Sequence, residues 1–233
     1  MRDAPPARAV LLDVDGVLLD SAALHRRVWD TWAVRNGLDP EAVWPLTFGR
    51  RPEDTVRAAA PSLDPTAERR LLDALLAAEG DAVPPVPGAG GLLAALETAR
   101  VPWALVTSGG RATVPARFAA TGLPLPRVRV YGEDVVRGKP APDCYALAAA
   151  RLGVPPRACV AVEDAPAGAE AARAAGCRVI GLTTAYGADA LPAAHTHAAS
   201  HTEVRAALFA LGVLPAPGPR PGLESAEGPA SMR

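Results

Sequence analysis

Five short apolar runs, at residues 9–15, 103–107, 127–131, 159–163 and 178–183, alternate with alanine-rich stretches of helical character. Such alternation predicts an α/β chain, with a Rossmann-like parallel sheet core flanked by helices on both faces. The alternation is interrupted once, between the first two runs. Residues 20–85 contain no strand-like run and read as helices at 21–36 (with Gly37 as C-cap), 52–60 and 65–79. The 233 residues therefore divide into a sheet core at 1–19 and 86–212 and a small inserted α-helical cap domain at 20–85. A tail at 213–233, rich in Pro, Gly, Ala and Ser, is expected to be disordered. Val83-Pro84-Pro85-Val86-Pro87-Gly88 is the expected return hinge, and Trp29, Trp32, Trp44 and Phe48 are expected to form the insert's own core.

Open parallel sheets bind ligands beyond the carboxyl ends of their strands, and polar clusters stand at those ends here. Ala9-Val10-Leu11-Leu12 empties into Asp13-Val14-Asp15-Gly16. Period-two geometry sends both side chains to the same side of the strand, where their charges repel. At ~4–6 Å each raises the other's pKa unless a cation lies between them. Mg²⁺, a hard ion that takes oxygen ligands and often holds substrate phosphate, suits that place. The competing reading is a strand that ends in an Asp-Gly turn. Trp103-Ala104-Leu105-Val106 runs into Thr107-Ser108-Gly109-Gly110, which reads as an anion cradle or as an ordinary helix cap. Cys159-Val160-Ala161-Val162 runs into Glu163-Asp164-Ala165-Pro166, a second acidic strand end or the acidic first turn of the next helix.

The fourth cluster turns on a single residue. Lys139 is the only lysine among 24 basic residues, and it lies in Gly138-Lys139-Pro140 just before a helical segment that begins near Pro142. A compact ammonium can approach two anions in a crowded pocket, whereas alone it reads equally as a surface lysine. The order Asp-x-Asp, Thr, Lys, Glu-Asp is hard to explain as four unrelated caps.

Other classes of function find no support. A net charge of −1 without basic runs argues against nucleic acid or an anionic membrane as partner. No apolar stretch reaches transmembrane length, and residues 1–8 lack the hydrophobic centre of a signal peptide. Cys144, Cys159 and Cys177 lack metal-ligand spacing and are expected as buried, reduced thiols of a cytoplasmic protein, a monomer or weak dimer.

Asp13-Val14-Asp15-Gly16-Val17-Leu18-Leu19-Asp20-Ser21, Thr107-Ser108-Gly109, Gly138-Lys139-Pro140 and Val162-Glu163-Asp164-Ala165-Pro166-Ala167-Gly168 resemble the four motifs of the haloacid dehalogenase superfamily. The likeness extends over residues 8–212. It is strongest to the branch with a small helical cap, which contains sugar-phosphate phosphatases and beta-phosphoglucomutase. The resemblance implies a Mg²⁺-dependent phosphatase that hydrolyses a small sugar or polyol phosphate through an aspartyl-phosphate. By that resemblance Asp13 is the nucleophile and Asp15 the general acid/base. Mg²⁺ would be held by the Asp13 carboxylate, the Asp15 main-chain carbonyl and Asp164, with Glu163 as a nearby or alternative ligand. Thr107 and the amides of Ser108 and Gly109 would bind phosphoryl oxygens, and Lys139 would neutralise charge. Dehalogenases of the superfamily lack an acid/base at the position of Asp15. The alternatives are a phosphosugar mutase, which needs the same residues, and a non-catalytic binding protein on the same scaffold.

Phe48-Gly49-Arg50-Arg51-Pro52-Glu53-Asp54 is similar to the cap loop of sugar phosphatases, with Phe48 where many relatives have His. Arg50 is the expected contact with substrate hydroxyls or phosphate, and a solvated Arg51 is the equally weighted alternative. His25 sits where beta-phosphoglucomutase also has a histidine, although its residue-level reading is helix packing. His195, His197 and His201 read as surface histidines rather than a metal site.

Overall fold

The computed structural model describes residues 7–80 and 82–215. Six strands, β1 (Ala9–Leu12), β2 (Trp103–Val106), β3 (Val128–Val130), β4 (Cys159–Glu163), β5 (Arg178–Leu182) and β6 (Thr196–Ala198), form one sheet. All pairings are parallel and the order is β3-β2-β1-β4-β5-β6. The chain progresses outward in one direction from β1 through β3, then returns to the other side of β1 with β4. That reversal opens a crevice at the carboxyl ends of β1 and β4, where ligands of doubly wound sheets bind. Five strands fall within the expected runs. The sixth, β6, was not expected, because three residues that begin with Thr196 and His197 carry no apolar signature.

The insert after β1 carries four helices, α1 (Ala22–Arg35), α2 (Pro40–Val43), α3 (Pro52–Ala59) and α4 (Pro65–Ala78). Val28, Trp29, Trp32 and Ala33 recur at helical spacing on one face of α1 and pack with Val43, Val56 and Leu72 into a core of their own. The short α2, continued by a 3₁₀ turn at Trp44–Thr47, was not anticipated. The two linkers of the insert run side by side, with the Asp20 amide donating to the Pro84 carbonyl and the Val86 amide to the Leu18 carbonyl, both at 2.9 Å.

The remaining helices are α5 (Ala89–Thr98), α6 (Val114–Thr121), α7 (Asp143–Leu152), α8 (Pro166–Ala174) and α9 (His201–Ala210). Successive strand residues feed opposite layers, as period two requires. Val10, Leu12, Leu105 and Val162 pack with Leu92 of α5, Phe118 of α6 and Leu208 of α9. Ala9, Leu11, Ala104 and Ala161 face Ala148 of α7 and Ala172 of α8, and these small side chains let the two helices approach closely. Val213 and Leu214, expected in the disordered tail, are instead buried against the first of these layers, because both are apolar and follow closely on α9. The rest of the expected tail, 216–233, lies outside the described residues. Among the described residues no helix is long and apolar enough to cross a membrane, and all three cysteines are buried and free.

The histidine expectation holds for two residues and fails for one. His195 and His197 are exposed. His201 is buried at the start of α9, where its Nδ1 lies 3.2 Å from the Pro87 carbonyl under the return linker.

Candidate active site

Leu12 is the last residue of β1, and from Asp13 the chain coils into a tight turn. The Val14 carbonyl accepts from the amides of Leu18 and Leu19, and the Gly16 amide donates to the Leu19 carbonyl. The Asp13 amide still donates to the Val162 carbonyl at 3.1 Å, so strand periodicity ends between the two aspartates, and their carboxylates take different partners. Asp15 Oδ1 accepts from the Ser21 hydroxyl at 2.6 Å and lies 3.9 Å from His25 Nε2 and 3.8 Å from Arg117 Nη1. Asp13 points to the end of β4. Gly16 joins the two environments in the left-handed region (φ 79°), and a side chain there would overlap the Asp164 carboxylate.

Asp13, Glu163 and Asp164 are buried and offer carboxylate oxygens within 4.8 Å of one another; they are the only such potential metal-holding group among the described residues. The Asp15 carboxylate is not part of it. Lys139, itself buried, donates to Asp13 Oδ1 and Glu163 Oε1, each at 2.6 Å, and to the Val106 carbonyl at 3.1 Å. Tyr145 on α7 donates its hydroxyl to Glu163 Oε1 at 2.5 Å. Glu163 thus serves first as the anchor of Lys139.

Electrostatics follow from this crowding. Burial, then the Glu163 charge, push the Asp13 carboxyl up to about 8 against the pull of Lys139. Burial, then Asp13 and Glu163, raise Asp164 well above the ordinary carboxylate range. Burial by itself would lower the Lys139 ammonium, but Asp13 and Glu163 outweigh it and leave its pKa above the usual lysine value. Three acids and one base in a shared buried volume would carry surplus negative charge once ionised, which is why Asp13 and Asp164 hold their protons without a further cation. Hard oxygen donors with such a surplus fit a divalent cation such as Mg²⁺.

Thr107, Ser108 and Gly109 leave β2 beside this group. Thr107 is buried, and its Oγ1 accepts from the Gly109 amide at 2.9 Å. That amide, expected to face a phosphoryl oxygen, is thus already engaged. The Ser108 hydroxyl reaches the cap and donates to the Gly49 carbonyl at 2.8 Å.

Asp13, Asp15, Asp164, Ser108, Gly109, His25 and Arg50 all line one pocket between sheet and insert, with a cavity volume of about 150 Å³. Arg50 is exposed at its lip. Burial holds the His25 imidazole below its ordinary pKa, with Asp15 opposing and Arg117 assisting. Trp32 belongs to the core of the insert, while Trp29 packs there and also borders the pocket. Trp44 packs against that core and also walls the pocket, whereas Phe48 walls the pocket alone, its ring 4.4 Å from that of Tyr186 after β5. Arg51 is not solvated as expected, but largely covered by core carbonyls. Nothing in the sequence marks Arg117, Tyr145 or Tyr186, since each lies in a helix or loop without an apolar run or repeated spacing around it.

A family model described as haloacid dehalogenase-like hydrolase matches residues 7–176. The chain belongs to the haloacid dehalogenase-like hydrolases. Among relatives of this hydrolase, hexitol phosphatase A of Escherichia coli K12 is 43% identical over 178 residues, 75% of this chain and 82% of the relative. Glycerol-1-phosphate phosphohydrolase 2 of Saccharomyces cerevisiae is 33% identical over 193 residues, 78% of this chain and 77% of the relative. Among solved structures, a family hydrolase from Deinococcus radiodurans R1 with bound phosphate and sodium superposes with a TM-score of 0.71 at 32% identity, covering 91% of this chain and 99% of the other. CbbY from Rhodobacter sphaeroides in complex with xylulose-1,5-bisphosphate gives 0.72 at 28% identity, covering 84% and 96%.

Proposed function

We propose that this hydrolase is a Mg²⁺-dependent phosphatase of small sugar or polyol phosphates. The observation that carries the reading is the buried Lys139 ammonium held between Asp13 and Glu163, with Asp164 alongside. Relatives named as hexitol and glycerol-1-phosphate phosphatases support the substrate class. The three buried free thiols suit a reducing, cytoplasmic setting, and a monomer or weak dimer is in keeping with an active site built within one chain.

In this reading the Asp13 carboxylate attacks phosphorus, a new P–O bond forms to Asp13, and the bond to the sugar oxygen breaks. Asp15 gives its proton to the departing oxygen. It then takes a proton from water, whose oxygen attacks phosphorus and frees Asp13. Lys139 offsets charge shared by Asp13 and the phosphoryl group, while the Thr107 hydroxyl and the Ser108 amide orient its oxygens. Asp13, Asp164 and the Asp15 main-chain carbonyl would hold Mg²⁺. Glu163, whose Oε1 already takes Lys139 and Tyr145, contributes charge. The ion would supply further neutralisation of the phosphoryl oxygens. His25 and Arg50, from the insert, face the substrate's hydroxyls.

A panel of sugar and polyol phosphates with Mg²⁺ should release inorganic phosphate, and Asp13→Asn should abolish it. Undiminished release by the variant removes Asp13 as nucleophile. His25 beside Asp15 supports a mutase as the second reading. Isomer formed from beta-glucose 1-phosphate without free phosphate would favour it.

A further inference from the structure

The segment from Phe48 to Asp54 lies across two loops of the sheet core. A side chain on Gly49 would stand 3.0 Å from the methyl of Ala165, the residue after Asp164, and 3.3 Å from the Gly168 amide. Two residues on, Arg51 reaches the segment between β3 and α7. Its Nη1 donates to the carbonyls of Val135 at 3.0 Å and Gly132 at 3.4 Å, and its Nη2 to that of Val136 at 3.1 Å. Nε and Nη2 bind Asp54 Oδ2 and Oδ1 at 2.7 and 3.2 Å. All five guanidinium N–H groups are therefore used, three of them on core main chain.

Those carbonyls belong to the stretch that runs into Gly138 and Lys139. Gly138 is pressed against the same guanidinium: a side chain there would overlap Arg51 Nε and stand 2.7 Å from Asp54 Oδ2. Its φ is not among the left-handed ones, so the position needs glycine for space rather than for backbone freedom. The loop that carries the only lysine of the chain rests on a residue of the insert.

We propose that Arg51 is a positioning residue, through which the closed cap sets Lys139 against Asp13. The proposal rests on the reading of Lys139 and Asp13 as the reacting centre. A planar fork saturated by fixed carbonyls has one docking geometry. Closure of the insert delivers the whole set of contacts at once, and opening returns the carbonyls of residues 132, 135 and 136 to water. The ammonium, anchored in the core by Glu163 and the Val106 carbonyl, is thus held most firmly in register under a closed lid, which couples substrate enclosure to completion of the site.

The test compares the full-length wild type with Arg51→Ala, Arg51→Lys, Gly138→Ala and the Arg51→Ala/Gly138→Ala pair. Arg57→Ala is the control, since Arg57 grips the same Asp54 from the solvent side. Phosphate release is read with the best substrate of the panel, and hydrogen exchange is read on every variant. Arg51→Ala should lower kcat about 10–100-fold, as a displacement near 1 Å does, with a much smaller change in KM. Exchange should quicken about tenfold at residues 132–138 and stay unchanged in β1 and β4. Gly138→Ala should behave alike, the pair should lose no more than either single variant, Arg51→Lys should restore only part, and Arg57→Ala should match wild type. A rise in KM alone, multiplicative losses in the pair, or faster exchange throughout the molecule overturns the proposal. If the wild type turns over no phosphate ester, the functional reading fails and exchange decides: local loosening at 132–138 supports the coupling, and its absence refutes it.

Discussion

Lys139 Nζ lies 2.6 Å from Asp13 Oδ1, although 126 residues separate the two in the chain. The same ammonium lies 2.6 Å from Glu163 Oε1, so one positive charge is divided between two buried acids. Removing it leaves both without a counter-charge. Lys139→Met should cost about 3–5 kcal/mol of stability, the penalty for breaking a buried ion pair. Phosphate release should drop by about 10²–10³, as for loss of one preorganised charge partner. Thermal unfolding and steady-state kinetics read the two effects, and activity within tenfold of wild type would reject the role.

Asp13→Asn should have the opposite effect on the metal-free protein at alkaline pH. The neutral amide relieves repulsion with Glu163 and Asp164, which with burial pushes Asp13 up to about 8. Calorimetry without divalent ions near pH 8.5 should show the variant melting above wild type. Near pH 5, where Asp13 is already protonated in the folded state, that advantage should shrink. A variant that melts lower at both pH values contradicts this electrostatic account.

Mg²⁺ should stabilise the protein, and more so as pH rises. The folded Asp13 keeps its proton up to about 8 while the unfolded one loses it near the ordinary aspartate value of 3.8. Between these values the native state binds more protons, so metal-free stability falls with rising pH. Mg²⁺ needs the ionised carboxylates and competes with those protons. At about 100 times its Kd the ion should add about 2.7 kcal/mol, or roughly 5–10 °C in a chain of this size. A melting shift that is larger at pH 5.5 than at pH 8 would contradict the assignment.

Gly16→Ala and Gly176→Ala separate backbone strain from overlap. Both positions have left-handed φ, 79° and 93°. Only at Gly16 would the new methyl meet another group, the Asp164 carboxylate. Each variant should lose about 1–2 kcal/mol from strain. Gly16→Ala alone should also lose the Mg²⁺-induced melting shift and about 100-fold in activity. Equal behaviour of the two would show that Asp164 is not crowded by the turn.

Much of this was legible because chemistry and fold share one signal. Apolar runs that end in Asp13, Thr107 and Glu163 mark both the strands and the end of the sheet where ligands bind. What was not legible has physical reasons. β6 is a three-residue edge strand that starts with Thr196 and His197, and edge pairing needs no apolar alternation. Period two was extended past Leu12 to Asp15, but the bonds to the Val14 carbonyl curl the chain there and give the two acids different neighbours. Arg51 looked like a solvated charge because its partners are main-chain carbonyls, which leave no trace in residue identity. Tyr145 looked like a filler of α7, since only the folded molecule puts its hydroxyl on Glu163.

Because β1 is central, its residues 9–12 pair on one side with 159–162. During translation the first strand must wait with an open edge until the ribosome has passed that point, and the nascent chain meanwhile holds Asp13 without its acidic companions. Catalytic competence therefore arrives late in synthesis. Premature termination upstream of residue 159 would yield a product with an exposed, adhesive strand edge and no working centre.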